Sequence, residues 1–185
     1  MNAPAHPLTP DPFDSATAAI NAWRGRCLAS FTRAEYAITE ALVAIAEGDA
    51  TVSLPHLVGQ RYAALLTALR QRGDAAATIE TIDAFQKHDE LRSFLCHGVA
   101  SVLLDRKGGW HAVFTLVRLL RQKVDRRTLL INAAEADTIA VELRRDQQRL
   151  EAKLRTITSP INTRGAKLQI VQTHTRSALA DTEPG

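Results

Sequence analysis

The hydrophobic residues of this chain recur at steps of three and four over most of its length. Eight of them share one face in the first long run: Ile20, Trp23, Cys27, Phe31, Ala34, Ile38, Leu42 and Ile45. This spacing predicts a long α-helix, which Asp14 or Ser15 can cap and Gly48 with Asp49 can end. At ~1.5 Å per residue the helix approaches 50 Å. One small domain can hardly cover such a stripe, so we expect part of it to face a second subunit.

Two more helical runs follow. Ser53 and Pro55 are residues that commonly open a helix, and Gly73 can close the second one. Asp74 can cap a third helix, which carries Ile79, Ile82 and Phe85 and continues through residues 92–97.

The pattern changes after Gly98. Residues 99–104 and 110–117 are rich in Val, Leu and Phe and flank a loop with two glycines, which predicts a β-hairpin. Asp125 can then cap a last long helix, which extends to about Ile157. The expected fold is therefore mainly α, with four helices and a small hairpin after the third.

The same pattern divides the chain into three parts. We expect a flexible N-terminus over residues 1–14, a single helical domain over 15–157 and a flexible polar tail over 158–185, which begins near Pro160. Removal of the tail is expected to cost less than ~1 kcal/mol of stability.

Composition narrows the class of protein. Of 185 residues, 45% are hydrophobic and only 5% aromatic, with Ala and Leu dominant, which favours helices over a β-sandwich. The net charge of +3 permits a nucleic-acid partner without requiring one. Cys27 and Cys96 lack metal-ligand spacing and lie among apolar residues, so we expect reduced core thiols, no metal site and no cofactor. Without a signal peptide or an apolar run of ~18 residues, we expect a cytoplasmic protein with no membrane partner.

The strongest chemical signal is the segment from Arg92 to His97, followed at once by Gly98. Arg is a permanent cation whose forked guanidinium fits phosphate, and His exchanges a proton near neutral pH. Together they could cleave RNA without a metal, because one group moves the 2′-hydroxyl proton and the other stabilises charge on the phosphate.

Four helices with an Arg-x4-His segment late in the third resemble the HEPN superfamily, over roughly residues 15–157. The resemblance implies a metal-independent endoribonuclease of toxin or phage-defence type, with the motifs of two copies meeting at a dimer cleft. It implies that Arg92 holds the scissile phosphate and that His97 is the general base or acid. Ser93 stands where the family often has Asn, Asp or His. The implied partners are a second copy, RNA and an antitoxin protein, although Val99 replaces the Tyr typical of members neutralised by a nucleotidyltransferase.

Other readings of these residues stay open. Arg92 could pair with Asp89 on its own helix, and a His near a helix C-terminus is favoured by the helix dipole. His88, one turn before Arg92, could be an accessory site residue or simply exposed. Four basic residues are candidates for RNA binding, although a solvated surface is an equal explanation: Arg106, Lys107, Arg118 and Arg121.

The function also has alternatives from other classes. The main one is a non-catalytic helical module for dimerisation or RNA binding. Another is a structural subunit of a larger complex. An intact pair of Arg92 and His97 permits catalysis without proving it.

Overall fold

The computed structural model of the chain describes residues 11–73, 75–120 and 122–158. Within these ranges lie five helices and three strands: α1 (Pro12–Gly48), α2 (Val58–Arg72), α3 (Ala76–Gln86), α4 (Asp89–His97), β1 (Val99–Leu104), β2 (Trp110–Leu120), β3 (Lys123–Asn132) and α5 (Ala133–Thr158). The prediction of a mainly helical fold is confirmed. The predicted four helices and hairpin are replaced by five helices and a three-stranded antiparallel sheet in the order β1-β2-β3.

The long first helix forms as predicted, and its apolar stripe lies in the core. All eight stripe residues are buried within one chain, under α5, α2, α4 and the sheet. The Trp23 indole donates a hydrogen bond to the Ala136 carbonyl at 2.7 Å, and Phe31 packs edge-on against Phe85. Contrary to the expectation, the stripe needs no second subunit to cover it.

The start of α1 also differs from the prediction. Asp11 is the cap, since its carboxylate accepts a hydrogen bond from the Phe13 amide at 2.9 Å, and Pro12 occupies the first turn. Proline is tolerated at this position because the first backbone amides of a helix have no hydrogen-bond partner within the helix. The helix therefore begins before Asp14 and Ser15.

The predicted third helix is two helices. α3 ends at Gln86 and α4 begins at Asp89. Between them, His88 has φ −85° and ψ −1°, and its amide donates to the Phe85 carbonyl at 3.0 Å. Neither Gly nor Pro marks this break, so the sequence carried no signal for it.

The last helix begins later than predicted. Residues 123–132 form β3, which pairs with β2 along its whole length, and α5 starts at Ala133. Asn132 and Glu135 fix this start reciprocally. The Asn132 side chain accepts from the Glu135 amide at 3.0 Å, and the Glu135 side chain accepts from the Asn132 amide at 2.9 Å. This is a capping box.

The sheet places one face on the helices. Alternate residues of β2 point to opposite sides, and Ala112, Phe114 and Leu116 are buried against the core. Trp23 of α1 lies against Phe114, with ring centroids 6.0 Å apart. The inner face of the sheet therefore completes the same core that α1 organises.

The two cysteines differ, contrary to the expectation of two core thiols. Cys27 is buried and Cys96 is exposed. Burial raises the pKa of the Cys27 thiol to about 11, despite an opposing effect of Arg26.

Some expectations lie mostly outside the described residues, namely those for the N-terminus before Asp11 and for the tail after Thr158. Within the described ranges, no helix combines the length and the apolar character that crossing a bilayer requires.

Candidate functional site

Helix α4 carries all three candidate catalytic residues, and the surrounding structure fixes its position. Phe94 and Leu95 anchor it in the core, at 3% and 0% exposure. At its C-terminal end, the Arg24 Nε donates to the Leu95 carbonyl at 2.6 Å, and the Gly98 amide donates to the Phe94 carbonyl at 2.8 Å. These bonds satisfy carbonyls that a helix end otherwise leaves without partners.

Arg92 is held by a carboxylate from another helix. Its Nε lies 2.6 Å from Oε1 of Glu35 on α1. The two side chains are 35% and 21% exposed, so the pair is only partly screened by solvent. This contact replaces the bond to Asp89 that was considered from the sequence. Burial raises the pKa of Asp89, although the nearby Arg92 and His88 act in the opposite direction.

The side chains of Ser93 and His97 have different surroundings. The Ser93 hydroxyl donates to the Asp89 carbonyl one turn earlier, at 3.0 Å, so it is engaged with the helix backbone. His97 is exposed on the last turn of α4. Five residues of helix separate Arg92 from His97 by about 140° and roughly 7.5 Å along the axis. The surface of α4 between these two side chains carries Ser93 and Cys96, and we call it the ridge of α4. Arg92 therefore lies on one side of the ridge and His97 on the other.

A buried tyrosine lies on the Arg92 side of this ridge. Tyr62 of α2 helps to line a cleft of about 190 Å³ together with Asp89, Arg92 and Ser93. Burial raises the pKa of Tyr62 above its ordinary value, and the carboxylates of Asp89 and Glu35 add to the effect. The phenol is therefore neutral at physiological pH. The cleft is smaller than most ligand sites.

His88 does not join this group. Its Nε2 lies 3.1 Å from Oδ2 of Asp146 on α5, and both side chains are less than a fifth exposed. Burial by itself raises the pKa of Asp146. The hydrogen bonds from His88 and Arg145 and their charges outweigh it, so the pKa lies below its ordinary value. His88 thus connects the junction of α3 and α4 to α5, and its accessory role beside Arg92 stays a prediction.

His88 lines a larger cleft of about 650 Å³ between α4, β3 and α5, to which neither Arg92 nor His97 contributes. At its rim, Arg127 of β3 contacts Glu90 at 2.7 Å. Glu90 and His97 are seven residues apart, so they lie on the same side of α4. Arg127 therefore belongs to the His97 side of the ridge.

The three candidate RNA-binding residues that the structure describes do not form one cluster. Arg106 and Lys107 lie exposed in the turn between β1 and β2, a strand length of roughly 20 Å from the His97 end of β1. Arg118 stands opposite Asp125 in the β2–β3 register. Arg121 lies outside the described residues.

Three residues of the site region were missed by sequence reasoning, namely Glu35, Tyr62 and Asp146. Glu35 adjoins Ala34 of the buried stripe, which was the one available signal for a half-buried carboxylate. Tyr62 stands at helical spacing with Leu65 and Leu69, a pattern that indicates a core position and not a site. Asp146 lies in a charged stretch of α5 where nothing distinguishes it from its neighbours.

Within the described ranges, no cluster of three or more His, Cys, Asp or Glu side chains has a geometry that could hold a metal ion. Comparison of the chain with known protein families, with curated proteins and with solved structures found no match.

Proposed function

We propose that this protein is a metal-independent endoribonuclease of toxin or phage-defence type, and that it acts through Arg92 and His97 in a cleft formed with a second copy. The observation that carries the proposal is the exposed ridge of α4. It combines a permanent cation held by Glu35 with an exposed imidazole, on a helix fixed at its C-terminal end.

Each residue has a defined role in this proposal. His97 accepts the proton of the RNA 2′-hydroxyl, whose oxygen attacks the adjacent phosphorus. The bond from phosphorus to the 5′-oxygen breaks, and a protonated imidazole returns a proton to that oxygen. Arg92 stabilises the negative charge that develops on the phosphate. It contacts Glu35 through Nε, and 35% of its side chain is exposed and accessible to a phosphate.

The second copy is proposed because Arg92 and His97 of one chain point in different directions. Arg92 and His97 of one helix diverge by about 140°, which is unfavourable for action on the same phosphate. A two-fold axis near the ridge would bring the Arg92 of one copy towards the His97 of the other. The proposal therefore includes a homodimer.

The test of the chemistry is cleavage of RNA in the presence of EDTA. We expect a product with a 2′,3′-cyclic phosphate, and no cleavage of DNA of the same sequence, because DNA lacks the attacking hydroxyl. Arg92→Lys should be strongly impaired, since Lys keeps the charge but loses the fork. Expression of the wild type should slow host growth, and expression of Arg92→Ala should not. Cleavage that requires a metal, or equal cleavage of DNA, would rule out the mechanism.

The alternative is a non-catalytic module for dimerisation or RNA binding, and the ion pair of Arg92 favours it. A partly buried contact between α1 and α4 is a sufficient structural reason for an arginine at this position. Titration of the same RNA separates the two functions. Binding that weakens steeply with salt, without any cleavage under these conditions, would make the module the better account.

A further inference from the structure

The sheet has an outer face that no part of the described chain covers. Because Ala112, Phe114 and Leu116 of β2 point into the core, the residues between them point away from it. The strand register places the outward residues of β1 and β3 beside them, for example Val99 opposite Thr115 and Leu130 opposite Val113.

This outer face is unusually apolar for a solvated surface. Six of its aliphatic side chains are between 52% and 78% exposed: Val99, Leu103, Val117, Leu119, Val124 and Leu130. Arg126 is the one Lys, Arg, Asp or Glu among the outward positions of the described strands. A sheet with one face in water normally alternates apolar and polar residues, and a face with this many exposed aliphatic side chains is typical of an interaction surface.

We infer that the outer face of the sheet is the surface on which a second copy of this chain docks. The inference rests on the homodimer of the proposed function and not on RNA cleavage. The near absence of charge favours a like face as the occupant, because two copies can meet without opposing several charges of one sign. Nucleic acid is disfavoured, since phosphate recognition requires cations.

The location of the outer face also supports a second copy of this chain as the occupant. Val99, at one corner of the face, follows His97 by two residues, so the face borders the end of α4 that carries His97. The edge strand β1 contains no Lys, Glu or Pro, which are the residues that usually prevent association at a sheet edge. The apolar stripe of α1, by contrast, is already buried.

The area of the outer face indicates how tightly the two copies should bind. Its strands have 6, 11 and 10 residues, and at ~3.3 Å by ~4.8 Å per residue they cover roughly 400 Å² on one side. Two faces in contact would bury roughly 800 Å², somewhat below the ~1,000 Å² that a specific interface is expected to exceed. We therefore expect a weak dimer with a dissociation constant in the micromolar range.

Sedimentation equilibrium of the full chain across micromolar concentrations tests the inference. Leu130→Lys adds a cation to the face and should raise the dissociation constant by more than about tenfold. Thr128→Lys should do the same without removing an apolar side chain. The matched control is Val141→Lys, because Val141 is an aliphatic residue of α5 that is 68% exposed and lies away from the sheet. It should leave the dimer intact.

The outcomes separate this inference from the nuclease proposal. A dimer lost in both face variants and kept in the control, with all four proteins equally folded by circular dichroism, supports it. A wild type that stays monomeric at 100 µM, or a dimer that both face variants retain, overturns it. RNA cleavage is scored separately on the same preparations, so cleavage by a wild type that stays monomeric would refute the docking surface and the shared cleft, but not the chemistry of Arg92 and His97.

Discussion

Gly98 is a residue at which the backbone leaves no room for a side chain. A Cβ at this position would lie 2.5 Å from the Phe94 carbonyl oxygen, where α4 turns into β1. We expect Gly98→Ala to lower the free energy of unfolding by about 1–3 kcal/mol, as overpacking does elsewhere. Urea denaturation measures this loss.

A second glycine provides the matched control. Gly25 lies within α1 and has no neighbour within 4 Å of its would-be Cβ. Gly25→Ala should therefore stabilise the protein by about 0.5–1 kcal/mol through helix propensity. Equal effects at both positions would contradict the packing described around the C-terminal end of α4.

The contact between His88 and Asp146 predicts a pH dependence. Because the folded-state pKa of Asp146 is lowered, its stabilising contribution is complete above the ordinary carboxyl pKa of about 3.9. That contribution is lost as the pH falls through the lower, folded value. Asp146→Asn should thus be less stable than the wild type at pH 7, and the difference between the two unfolding free energies should shrink as the pH falls below about 4.

Denaturant melts from pH 3 to pH 7 check this prediction. The control is Asp83→Asn, which changes an exposed carboxylate that has no ion pair within the described parts of the chain. A difference between Asp146→Asn and the wild type that stays constant with pH would exclude the assigned role of this carboxylate.

At the site, the sequence identified residues that could carry out a reaction, but it did not identify the side chains that contact them. Arg92, Ser93 and His97 were found because residue types and spacing are local properties. The partner of Arg92 was not found, because Glu35 lies 57 positions earlier and meets it only when α1 packs on α4. The exposure of Cys96 was missed because its apolar neighbours Phe94 and Leu95 are buried on the opposite side of α4.

Among the elements, the error over residues 123–132 has a physical reason. This segment is rich in charge and contains Leu129 and Leu130, and such a pattern fits a solvated helix as well as a strand. The pairing with β2 decides the outcome, since ten residues of β3 find partners there. The spacing of Asn132 and Glu135, three residues apart, was a local signal for the true start of α5.

The capping box at Asn132 and Glu135 is testable as a unit. We expect each single Ala substitution to cost about 0.5–2 kcal/mol, since each leaves an amide of the first turn without its partner. The double variant should cost less than the sum of the two, because the bonds share one geometry. A double-mutant cycle in urea measures this coupling. Strict additivity would mean that the two bonds do not act together.

For the whole molecule, the pattern of α1 predicted the core well and the assembly poorly. Every residue of its apolar stripe is buried. However, the expectation of a second subunit assumed a domain of four helices. It left out the fifth helix and the three-stranded sheet, which also cover the stripe. Apolar side chains left over lie instead on the outer face of the sheet. Long-range packing of this kind is not readable from periodicity within one element.

The central claim is that His97 performs proton transfer in RNA cleavage, and one comparison of rates tests it most directly. Wild type, His97→Ala and a control, His56→Ala, are incubated with one RNA oligomer in EDTA. His56 is an exposed histidine before α2, so its loss should leave the rate unchanged. The account predicts a fall on the order of 10²–10⁴ for His97→Ala alone. Full activity in His97→Ala, or no cleavage by the wild type, would contradict it.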